Sequence, residues 1–89
     1  MRTVHLSKAF KKDLKAIKSS GYKEQELFDV IDKLRQNIPL EPKYRDHVLI
    51  GNWVNYRECH IKPDWLLIYK LEPNVLYLAR TGSHAKLFS

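Results

Sequence analysis

The chain of 89 residues carries a single cysteine, Cys59, so no internal disulfide can form, in keeping with a reducing compartment. Glycines number three and prolines four, and no repeat, linker or low-complexity stretch is present. No apolar run approaches the roughly 20 residues of a bilayer span. The opening Met1-Arg2-Thr3-Val4-His5-Leu6 is too short in its apolar part for a signal peptide, and the expected location is the cytoplasm. Negative charge is in deficit: 10 Asp and Glu against 16 Lys and Arg leave a formal charge of +6. On so small a body that field favours a polyanion such as nucleic acid, or an acidic protein. An anionic membrane fits the charge but not its spread over several elements.

What is present is a core. Hydrophobic residues make up 44% of the chain, with two Trp, five Tyr and three Phe, which argues against disorder and for one domain over 1–89. Thr3 to Leu6 reads as a short strand and Ser7 as a helix N-cap. Lys8 to Ser19 then sets Phe10, Leu14 and Ile17 on one helical face, with Lys8, Lys11, Lys12, Lys15 and Lys18 largely opposite. Gly21 is a stop. A second helix from about Lys23 to Gln36 carries the stripe Leu27, Val30, Ile31 and Leu34, and Asn37 and Pro39 end it. Ile38 to Asn52 reads as a loop with His47 near its middle and a brief strand at Val48 to Ile50. Trp53–Ile61, Trp65–Leu71 and Val75–Thr81 form a three-stranded meander closed by turns at Lys62-Pro63-Asp64 and Glu72-Pro73-Asn74, followed by a short tail. The nearly continuous apolar run of Trp65–Leu71 marks a central strand. The expected class is α+β, two N-terminal helices packed on a small, mostly antiparallel sheet in the order β-α-α-β-β-β.

Three histidines of the second half, His47, His60 and His84, fall at or near strand ends among charged groups. Imidazole is the side chain whose unperturbed pKa, roughly 6.5, lies beside neutral pH, so such a group suggests proton transfer or metal ligation. Alternation puts Tyr56, Glu58 and His60 on one strand face, with Arg57 and Cys59 on the other. The Pro63 turn brings Asp64 back beside His60. On the last strand, alternation gives Arg80 the face of Leu76 and Leu78, close to His84. Cleaving RNA through its 2′-OH takes a base, an acid and a cation for the phosphate, and a guanidinium fits phosphate oxygens in fork geometry. Each residue also has a plainer role: His5 structural, Cys59 a small buried hydrophobe, Arg80 the partner of a carboxylate, the helix lysines a solvated face. The spacing matches no metal motif, and Cys59 and His60 point to opposite faces, so the reaction is expected to need neither metal nor cofactor.

Tyr44-Arg45-Asp46-His47, Leu49, Gly51, Trp53, Tyr56-Arg57-Glu58, His60, Pro63-Asp64-Trp65, Leu67-Ile68-Tyr69-Lys70 and Arg80-Thr81-Gly82-Ser83-His84, with Leu87-Phe88, closely resemble the YafQ branch of the RelE/ParE superfamily of bacterial toxins. The strong match covers about Pro42 to Phe88. The resemblance implies a RelE-like fold and the toxin of a type II toxin–antitoxin pair, an endoribonuclease that cuts mRNA in the ribosomal A site. It implies a cognate antitoxin as partner and His84 as general acid. His60 or Asp64 would be the base, Arg80 would stabilise phosphate charge, and His47 would assist at the substrate. Phe88 would stack on a base, and Glu58, a longer carboxylate where a relative is expected to carry Asp, joins it among the substrate-contacting positions. The lysines of the first helix would dock on ribosomal RNA. The rivals are a non-catalytic toxin of the ParE kind, which poisons DNA gyrase, and an RNA-binding accessory domain.

Overall fold

A computed structural model describes residues 1–88 and orders the elements β1 (Thr3–Leu6), α1 (Lys8–Lys18), α2 (Glu24–Arg35), β2 (His47–Val48), β3 (Arg57–Lys62), β4 (Trp65–Leu71), β5 (Val75–Gly82) and α3 (His84–Phe88). The strands make one sheet in the order β1-β5-β4-β3-β2. All neighbours are antiparallel except β1, which runs parallel to β5 at the edge, with Val4 opposite Leu76 and Leu6 opposite Leu78. That parallel pairing is reached by carrying α1 and α2 across the sheet between β1 and the meander.

Helix α1 starts where the sequence places it. The Ser7 hydroxyl accepts from the Phe10 amide at 2.9 Å and donates to the Ala79 carbonyl at 2.7 Å, so the cap also ties the helix to β5. Phe10 and Ile17 of α1 and Leu27, Val30 and Leu34 of α2 bury against Cys59, Ile61, Trp65, Leu67, Tyr69, Leu76 and Leu78. As its unbroken apolar run requires, β4 is the middle strand, with Trp65 to Tyr69 fully buried. The buried polar atoms here are partnered: the Trp65 indole donates to Thr81 Oγ1 at 3.0 Å, and that hydroxyl donates to the Leu66 carbonyl at 2.8 Å. The opposite face is covered far more thinly, by Leu87 on Leu66 and Ile68, with Leu49, Trp53, Tyr56 and Ala79 at its margins. One face of the sheet is therefore spent on the core, and the other stays accessible to a ligand.

Cys59 is fully buried in the helix-side core, and burial pushes its thiol well above the usual range. It is expected to resist iodoacetamide at pH 8 until the protein is unfolded, as mass spectrometry of the intact chain would reveal. Because the fold holds the neutral thiol, this contribution to stability is whole below the ordinary thiol pKa of 9.0 and is lost as pH climbs past it.

Four expectations are corrected. Trp53 lies outside β3, in a 3-10 turn over Gly51–Trp53, because Asn55 takes a left-handed φ of 76° that breaks the extended run. The brief second strand is His47–Val48 rather than Val48–Ile50. The tail after β5 is a helix, α3, started by Ser83, whose hydroxyl accepts from the Lys86 amide at 3.2 Å. Finally, Arg80 does not share a face with Leu76 and Leu78. Tyr69 pairs with Leu78 while Ile68 pairs with Arg80, so Ala79 is an extra residue in β5. The bulge turns Arg80 to the thinly covered face, beside Ile68.

Candidate active site

The ionisable cluster is assembled by strand register. His47 is opposite Glu58, Glu58 opposite Ile68, and Ile68 opposite Arg80, one row across four strands on the open face. The next row is His60, Leu66 and Gly82. Neighbouring strands are about 4.8 Å apart, so the whole group spans about 15 Å.

Glu58 joins the two imidazoles. Its Oε1 lies 3.5 Å from His47 Nε2 and 3.3 Å from His60 Nε2, and the carboxyl is only 7% exposed. Each ring faces a backbone carbonyl with its other nitrogen, His47 Nδ1 to Arg45 at 2.7 Å and His60 Nδ1 to Pro63 at 3.2 Å. Both rings are thus fixed in orientation, with centroids 6.3 Å apart. Glu58, read from the sequence as a substrate contact, faces these two rings and holds them.

The loop bearing His47 is itself pinned. Arg45 adopts a left-handed φ of 50°, an uncommon conformation for a residue with a long side chain, and this aims its carbonyl at His47. Asp46 then accepts from Arg57 Nε and Nη2 at 3.3 and 3.2 Å and from the Tyr69 hydroxyl. The Asp46 hydrogen bond raises the Arg57 pKa, and burial followed by that same carboxylate raises the Tyr69 phenol. Asp46 and His47 thus face opposite sides of the sheet, one as anchor and the other at the site.

His84 opens α3, exposed, with its ring 5.0 Å from that of Phe88. Asp64 Oδ1 accepts from the His84 backbone amide at 3.0 Å. The Lys62–Asp64 turn thereby contacts His60 through Pro63 and the start of α3 through Asp64, and brings His60 and His84 to the same end of the sheet. Arg80 is held by Asp13 of α1, through Nε to Oδ2 at 2.7 Å and Nη2 to Oδ1 at 3.0 Å, which raises its pKa. Asp13 is a functional residue that periodicity alone does not single out, and its one signal in the sequence is its place within the stripe of Phe10, Leu14 and Ile17, where a carboxylate has to find a cation. The α1 lysines Lys8, Lys11, Lys12, Lys15 and Lys18 are all exposed, on the outside of the helix layer.

A five-stranded sheet with a parallel edge strand and two helices on one face is the RelE-like α+β fold of small toxins, and in this chain the other face carries a His/Glu/Arg row. Residues 2–89 match the family of YafQ, the bacterial toxin of type II toxin–antitoxin systems, and the chain belongs to that family. The mRNA interferase toxin YafQ of Escherichia coli strain K12 is 40% identical over 88 residues, 98% of this chain and 96% of that one. The toxin in the crystal structure of the E. coli DinJ–YafQ complex superposes with a TM-score of 0.93 at 39% identity, over the full length of both chains. A copper-bound mutant toxin from Helicobacter pylori superposes at 0.94 with 43% identity, covering 99% of this chain and 100% of that one. The copper is that protein's. Among the described residues here no group of three or more His, Cys, Asp or Glu side chains is arranged to hold a metal ion.

Proposed function

We propose that this toxin is an mRNA endoribonuclease that acts on ribosome-bound message and takes its acid and base from side chains. The observation that carries the reading is the single row of His47, Glu58 and Arg80 on the thinly covered sheet face, with His60 and His84 at its end. In this reading the 2′-oxygen attacks the scissile phosphorus, the bond to the 5′-oxygen breaks, and a 2′,3′-cyclic phosphate forms beside a free 5′-hydroxyl. His60 or Asp64 draws off the 2′-OH proton, Arg80 offsets the charge on the non-bridging oxygens, and His84 protonates the departing oxygen. His47 assists at the substrate, and Glu58 fixes the rings of His47 and His60 through Oε1. Phe88, against His84 and partly exposed, offers a stacking surface for an unpaired base.

A cognate antitoxin follows from the family, and the DinJ–YafQ complex supports a partner of that kind. The lysines of α1 fit ribosomal RNA by charge, in the A site, and a cytoplasmic location fits that target. Cleavage is expected to be mapped within translated codons when purified protein is added to ribosomes programmed with a defined message. Its products should carry 5′-hydroxyl ends, and the same message without ribosomes should be cut far more slowly. Induction of a DNA-damage response with intact messages would favour the gyrase-poisoning reading, and neither effect would favour an RNA-binding accessory domain.

A further inference from the structure

Asp13 is a carboxylate in the wrong place for a surface charge. It is 3% exposed, on the core-facing side of α1 between Phe10 and Ile17, and the acid–base scheme gives it no step. Its two oxygens gather groups from three residues on two elements. Oδ2 accepts from Arg80 Nε at 2.7 Å and from the Thr81 backbone amide at 3.1 Å, while Oδ1 accepts from Arg80 Nη2 at 3.0 Å and lies 3.6 Å from Lys86 Nζ on α3. The edge of β5 explains the position. Strand β1 pairs with β5 only from Val75 to Leu78, so the Thr81 amide lies beyond its reach, and α1 brings a carboxylate to serve in place of a strand.

We infer that Asp13 is a positioning residue, which holds the Arg80 guanidinium and the start of α3 in the relation that phosphate capture by Arg80 and proton delivery by His84 require. The atoms engaged matter. Asp13 takes the Nε–Nη2 edge of the guanidinium, and among the described residues Nη1 has no hydrogen-bond partner, so one edge is locked and the other is left for a phosphate oxygen. The Lys86 contact fixes α3 two residues beyond His84 to the same carboxylate. A flexible arginine would lose this register, and catalytic groups misplaced by about 1 Å lose rate steeply.

The inference rests on the nuclease reading, and the experiment separates the two. Single-turnover cleavage of ribosome-bound message is measured for the unaltered protein, Asp13→Asn, Arg80→Ala and the double variant, with antitoxin binding and thermal melting as checks on folding. Asn keeps the size of Asp but loses its charge and turns a donor toward the guanidinium. Asp13→Asn is expected to slow cleavage by roughly tenfold to a hundredfold with the half-saturating ribosome concentration unchanged. In the Arg80→Ala background the same substitution is expected to slow it far less, since no guanidinium is left to position and only the Lys86 contact with α3 remains to be lost. Equal losses in both backgrounds would mark a merely structural residue and overturn the inference, as would full activity of Asp13→Asn. Should Asp13→Asn melt below the assay temperature, Arg80→Lys carries the test: it keeps the charge but has no second edge, and full activity in that variant overturns the inference. An unaltered protein that leaves ribosome-bound message intact sinks the nuclease reading and this one together, an outcome distinct from the others.

Discussion

Replacing His84 by alanine is expected to slow message cleavage by about 10²–10⁴, the usual contribution of a general acid, while antitoxin binding and melting temperature stay close to those of the unaltered protein. The fold has little stake in this ring: it is exposed at the first position of α3, its neighbour is Phe88, and the hydrogen bond that Asp64 accepts comes from the backbone amide, which alanine keeps. His84→Gln should be as slow as His84→Ala, because an amide can donate a hydrogen bond but cannot release a proton at neutral pH. A message with sulfur in place of the scissile 5′-oxygen gives the sharper measurement. A thiolate leaves without protonation, so the rate on that message should be nearly the same for His84→Ala and the unaltered chain. A persistent deficit would move the acid role to another group, and undiminished cleavage of ordinary message by His84→Ala would remove His84 from the chemistry.

How far the sequence reveals this site depends on whether each element is organised locally. Helices α1 and α2 are legible because Phe10, Leu14 and Ile17, and Leu27, Val30, Ile31 and Leu34, recur at helical spacing, and β4 because five consecutive buried residues need cover on both faces. The common face of Tyr56, Glu58 and His60 follows from simple alternation and appears in the structure, with Tyr56 against the thinly covered cluster and Glu58 touching His60. The same rule fails at Arg80. A bulge at Ala79 has no glycine or proline to announce it, and one uncounted residue reverses every side chain beyond it. Long-range pairings are opaque for another reason. Asp13 and Arg80 are 67 residues apart, and what unites them is that β1 stops at Leu6 and leaves an edge of β5 for α1 to occupy. The one legible trace is a charge inside an apolar stripe. Likewise, alternation sets Glu58 on the face of His60, but only the register with β2 shows it between two imidazoles.

Arg80→Ala is expected to lower the cleavage rate by about 10²–10³, the order found when one preorganised donor to developing negative charge is removed. Unlike His84, this residue also bears on stability, because its removal leaves the buried Asp13 with only the Thr81 amide and the more distant Lys86. Losing a charge-assisted pair around a carboxylate of that burial costs about 1–3 kcal/mol, tempered because the Arg80 side chain is itself 26% exposed. In a chain of this size each kcal/mol is about 4–8 °C of melting temperature. The two effects come apart in a second variant. Adding Asp13→Ala to Arg80→Ala removes the stranded carboxylate, so much of the lost melting temperature should return while cleavage stays as slow as in Arg80→Ala alone. Calorimetry and single-turnover cleavage on the same preparations read both quantities. If the double variant recovered rate along with stability, the loss in Arg80→Ala would have come from a weakened fold, and the guanidinium would have no part in binding the scissile phosphate. If neither recovered, the Thr81 amide at the uncovered edge of β5 would be the contact of Asp13 that matters most, since the alanine of the double variant leaves that donor unpaired.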